Sequence, residues 1–62
     1  MPRIGDRVLV RTATGENRLV RVAGFGDGVV YVTSEAEYLL AVTEGREPTP
    51  MMGFPVDDVQ AA

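Results

Sequence analysis

A strict alternation of apolar and polar positions opens the chain. Arg7-Val8-Leu9-Val10-Arg11-Thr12 sets Val8 and Val10 on one face and Arg7, Leu9 and Arg11 on the other. Period two in a β-branched run is the mark of a half-buried strand. Ala13-Thr14-Gly15-Glu16-Asn17 reads as a turn, because Gly and Asn both accept a positive φ. A second alternating run, Arg18 to Phe25, points Val20, Val22 and Gly24 inward and Leu19, Arg21 and Ala23 outward. Gly26-Asp27-Gly28 predicts a tight hairpin turn, and Val29-Val30-Tyr31-Val32-Thr33 a third strand.

The period then changes. Ser34-Glu35-Ala36-Glu37 fits a capping box, in which Ser34 accepts from the amide three residues on and Glu37 reaches back. Tyr38, Leu39 and Val42 share one helical face, with Glu37 and Glu44 opposite, and Gly45 stands where a helix C-terminal glycine belongs. The spacing predicts a helix of about ten residues. Pro48 and Pro50 close a loop that cannot continue it. Met51 to Phe54 predicts a short fourth strand, Pro55 to Asp58 a 3₁₀ turn, and Val59 the start of a very short last strand. The expected core is Ile4, Val8, Val10, Val20, Val22, Val30, Val32, Tyr38, Leu39, Val42, Phe54 and Val59. Leu40, Met51 and Met52 are candidates for an exposed patch, but in so small a chain a methionine pair is expected to fill the core.

With 62 residues, the chain is expected to form one domain, which at this size buries only about 60% of the surface its unfolded form exposes. Small domains often add disulfides, a metal or a partner subunit. The sequence contains neither cysteine nor histidine. That removes a disulfide framework, thiolate sites, the commonest zinc ligand and the commonest general base. A good core or an oligomer remains. No apolar run approaches the roughly 18 residues that span a bilayer, and no charged-then-apolar leader is seen. A cytoplasmic protein without cofactor or metal is the expectation.

The formal net charge of −3 argues against a dedicated nucleic-acid binder, whose footprint is basic. Its layout matters more. Residues 1–25 hold five arginines against Asp6 and Glu16, while residues 26–62 hold Arg46 against seven carboxylates. Every basic residue is arginine, as coding bias in a GC-rich genome produces, and arginine also suits bidentate contact to carboxylate or phosphate.

Two stretches carry a resemblance: Gly5-Asp6-Arg7-Val8 and Gly53-Phe54-Pro55-Val56-Asp57-Asp58-Val59. With the order three strands, connection, strand, 3₁₀ turn and closing strand, the chain resembles the SH3-like small-barrel group. The resemblance implies an all-β fold: a small five-stranded SH3-like barrel over residues 1–62 with one short helix inserted between strands 3 and 4. The opening stretch is also similar to KOW-type ribosomal and transcription modules and to type II dihydrofolate reductases. The chain departs from peptide-binding SH3 domains in having a five-residue turn where they carry a long acidic loop, and in having no tryptophan. Docking a polyproline II helix needs an aromatic-lined groove, so proline-peptide recognition is not expected. Type II dihydrofolate reductases build their site around a Val-Gln-Ile-Tyr stretch, whereas here Val59-Gln60 is followed by two alanines. An oligomeric enzyme of that kind is the least favoured reading.

The remaining constellations point away from catalysis. Asp57 and Asp58 are neighbours in a turn and point apart, and a calcium loop needs more oxygen ligands at regular spacing. Gly24 to Gly28 lacks the following helix that a phosphate-cradling loop requires. Ser34, the only serine, has no His or Lys to activate it and reads as a helix cap. No residue is expected to be catalytic, and a non-catalytic binding or assembly module follows. Its candidate binding face is Arg7, Leu9, Arg11, Leu19 and Arg21, the shared outer side of two paired strands. Such a face can be merely solvated, with ion pairs worth about 0–1 kcal/mol each. It can be a protein-contact or self-association surface, since interfaces enrich arginine. It can also lie along nucleic acid as in KOW or Sm-like barrels, although no aromatic is evident there to stack a base. A protein partner or a second copy ranks above nucleic acid, and no membrane partner is expected.

Overall fold

The computed structural model describes residues 2–62. Seven elements follow in order: β1 (Arg7–Arg11), β2 (Asn17–Gly26), β3 (Val29–Thr33), α1 (Glu35–Glu44), β4 (Met52–Pro55), a 3₁₀ turn (Val56–Asp58) and β5 (Val59–Ala61). All strand pairs are antiparallel and form one open sheet in the order β4-β3-β2-β1-β5. The sheet's two edge strands, β4 and β5, are joined by the three-residue 3₁₀ turn alone. Five strands laid flat would hold those edges about 19 Å apart, four spacings of about 4.8 Å. Four Cα steps reach about 14 Å at most. The sheet must therefore curl, and it has a concave side.

Local chemistry explains the turns. Asp27 and Gly28 both have positive φ, 46° and 78°, the pairing that a type I′ hairpin requires to match the strands' twist. Ser34 caps α1, accepting from the Glu37 amide at 3.1 Å. Gly45, at φ 70°, ends it, with Arg46 N donating to Ala41 O and Gly45 N to Val42 O at 3.0 and 3.2 Å, the bond pair of a Schellman cap. Only half of the expected capping box forms. The Glu37 carboxylate turns instead to Arg46 and to the Thr49 amide, because the loop after the helix supplies stronger, charge-assisted donors.

The core is built of valine. Val8, Val10, Val22, Val30 and Val32 are buried together, with Val20, Phe54 and Val59 packed against them. The register sets Val8 opposite Val20, Val22 opposite Val32, and Val30 opposite Phe54. The alternation expected along β2 fails after Val22. The register slips between Val22 and Gly24, so Ala23 is an extra residue and is itself buried, while Gly24 faces Tyr31 and Phe25 pairs with Val30. A bulge of this kind inverts the phase of everything after it and bends the strand.

Three expected core residues lie outside. Ile4, Leu39 and Val42 are each more than half exposed. Helix α1 rests on β2 through a narrower strip than its periodicity predicts: Ala41 is fully buried and Tyr38 half-buried. Small Ala41 lets the helix approach closely, which turns Leu39 and Val42 aside and leaves Leu40 outside as well. Met51 and Met52 also stay out of the core, at 65% and 60% exposure. No helix among the described residues is long and apolar enough to cross a membrane.

Candidate functional site

The five residues expected to form a binding face do share one side of the sheet. Arg7 stands opposite Arg21, Leu9 opposite Leu19, and Arg11 opposite Asn17, and residues directly opposite in an antiparallel pair point the same way. Leu19 is 58% exposed, while Leu9 is half-buried.

The members are not equivalent. Arg21 is held by the fold: its Nε and Nη2 donate to the two carboxylate oxygens of Glu35 at 2.8 and 3.0 Å, and its Nη1 donates to Gly5 O at 2.6 Å. The guanidinium also lies 4.3 Å from the centre of the Tyr38 ring, close enough for a cation–π contact. The Arg21 hydrogen bond holds the Glu35 carboxyl below its ordinary pKa, and Glu35 in turn raises that of Arg21. This residue clamps the start of α1 and the chain before β1 onto β2. Arg7 reaches Glu35 only at 3.7 Å and is mostly exposed, and Arg11 has no ion-pair partner among the described residues. The face therefore offers two available cations, around an apolar pair.

The opposite, concave side holds a surface that reading the sequence missed. A groove of about 600 Å³ is lined by Val10, Val20, Val32, Phe54, Met51 and Met52. Thr12 to Thr14, Glu16, Arg18 and Ser34 lie along it as well. The register agrees, since Arg18 is opposite core residue Val10 and so projects on the concave side, away from Arg7, Arg11 and Arg21. The signal for it was present in the five-residue turn between the first two strands. A longer loop there would have material to fold over the groove; this turn, closed by Thr12 N donating to Glu16 O at 2.8 Å, has none.

Ser34 Oγ is engaged in the helix cap. No three metal-ligating side chains come together among the described residues. Asp57 and Asp58 sit in the exposed 3₁₀ turn. No family model, curated protein or solved structure matches this chain.

Proposed function

We propose that this protein is a non-catalytic binding module of the SH3-like small-barrel type and that its partner is protein. The observation that carries the reading is how much large apolar surface the fold leaves outside. Leu19, Leu39, Leu40, Val42, Met51 and Met52 are each about half exposed or more, in a chain of 62 residues. Large apolar side chains left exposed on so small a molecule mark places where another macromolecule sits. The strand order, the curl forced by the short link between the edge strands, and the 3₁₀ turn before the last strand support the barrel reading. Engagement of Arg21 by Glu35 and Tyr38 lowers the cation count available to a phosphate backbone and favours protein over nucleic acid.

The test sets two measurements side by side. Photo-cross-linking from positions 19 and 52 in cells is expected to give protein adducts. Fluorescence titration with RNA and DNA at physiological salt is expected to give no binding. Salt-dependent RNA binding that weakens when Arg7 and Arg11 become alanine, with no protein adduct from either position, overturns the reading.

A further inference from the structure

Among the apolar surfaces left uncovered are the arginine face around Leu9 and Leu19, the outer side of α1 around Leu39 and Leu40, and the concave groove. Their charges separate them. A two-fold axis through the arginine face would set Arg7 and Arg11 of one copy against the same arginines of the other, and like charges brought together weaken a contact. The outer side of α1 offers no free charge pair to orient a second copy, since Glu35 is held by Arg21 and Glu44 by Arg46.

The groove differs. It carries one acid and one base, Glu16 and Arg18, separated by a single residue, and neither has an ion-pair partner among the described residues. Placed across a two-fold axis, each finds its opposite on the other copy. Self-complementarity is what an isologous interface requires. The apolar lining is partly buried Val20 and Phe54 beside the buried Val10 and Val32, and the exposed Met51 and Met52 stand with them as adaptable packing groups.

We infer that the groove is a self-association surface: two copies meet groove to groove about a two-fold axis, with Glu16 of each facing Arg18 of the other and the methionines packed between them. This inference rests on the protein-contact reading and names the partner as a second copy of this chain.

Sedimentation equilibrium on the whole chain tests it. At micromolar concentration the expected mass is twice the 6.7 kDa of one chain. Glu16→Arg and Arg18→Glu should each raise the dimer Kd by at least about tenfold, and the double reversal should restore it to within a few-fold. Met52→Glu should also weaken the dimer, while Leu19→Glu, on the other face, should leave it unchanged. All four positions are exposed, so far-UV circular dichroism should show the fold intact. A wild-type monomer at every concentration overturns the inference without recourse to any variant. So does a dimer that ignores the charge reversals, or one broken by Leu19→Glu. A monomer whose groove holds an extended peptide or an apolar small molecule also overturns it. A monomer that still cross-links to another protein refutes the two-fold contact and leaves the protein-contact reading standing. RNA binding without any protein adduct removes both.

Discussion

Glu37 is the carboxylate whose protonation should cost the fold most in acid. Its carboxylate accepts from Arg46 Nη1 at 2.6 Å and from the Thr49 amide at 2.9 Å, tying the loop after α1 back onto the helix. The Arg46 bond, then the Thr49 bond, lower its pKa to about 2. A carboxyl whose folded pKa is depressed stabilises the fold fully above its unfolded value, about 4.3, and that contribution is lost as pH falls through the folded value. The thermal midpoint should fall between about pH 4.3 and pH 2, and Glu37→Gln should flatten that part of the profile; differential scanning calorimetry across that range reads both. Thr33 makes the opposite case. It is 2% exposed, and its Oγ1 has no hydrogen-bond partner among the described residues. Thr33→Val keeps the shape and removes the unpaired hydroxyl, so chemical denaturation should show a gain of about 1 kcal/mol. At Arg21, lysine keeps the charge but cannot reproduce the two-pronged bond to Glu35. Arg21→Lys should therefore lower the thermal midpoint nearly as far as Arg21→Ala.

At the scale of elements, the strands, both hairpin turns, the helix and the 3₁₀ turn could all be read from the sequence. Each is dictated by near neighbours: alternation in β1 and β3, a positive-φ Asp-Gly pair, a serine cap and a glycine stop. The bulge at Ala23 could not, because nothing in Val22-Ala23-Gly24 breaks the alternation and only pairing with β3 reveals the slip. The glycines show the same dependence on neighbours across the sheet. A Cβ at Gly53 would meet Val29 Cγ1 at 2.9 Å and the Tyr31 ring at 3.2 Å, whereas one at Gly24 would meet nothing within 4 Å. Gly53→Ala should cost about 1–3 kcal/mol and Gly24→Ala less than about 0.5 kcal/mol, in the same denaturation assay. The helix face is the other element-scale lesson: periodicity offered Leu39 and Val42 to the core, and packing on β2 chose Ala41.

For the whole molecule, the core is a small set of buried valines. Removing two methyl groups from fully buried Val22 by Val22→Ala should cost about 2 kcal/mol, a large fraction of what a domain this small holds. If the groove is covered by a second copy, stability depends on mass action, and raising protein concentration tenfold should raise the thermal midpoint measurably. A midpoint independent of concentration would mean that the open groove is stable in a single chain.

The order and type of the elements, the valine faces of β1 and β3, and the grouping of Arg7, Leu9, Arg11, Leu19 and Arg21 on one side of a hairpin were legible from the residues alone. These depend on period, turn chemistry and capping, which act within a few residues. Packing in three dimensions makes Arg21 a clamp for α1, keeps Leu39, Val42, Met51 and Met52 outside, and sets Glu16 and Arg18 beside the groove. Those outcomes depend on which surface packs against which, and on the short link that makes the sheet curl. Such relations join residues distant in the chain, and no local pattern records them.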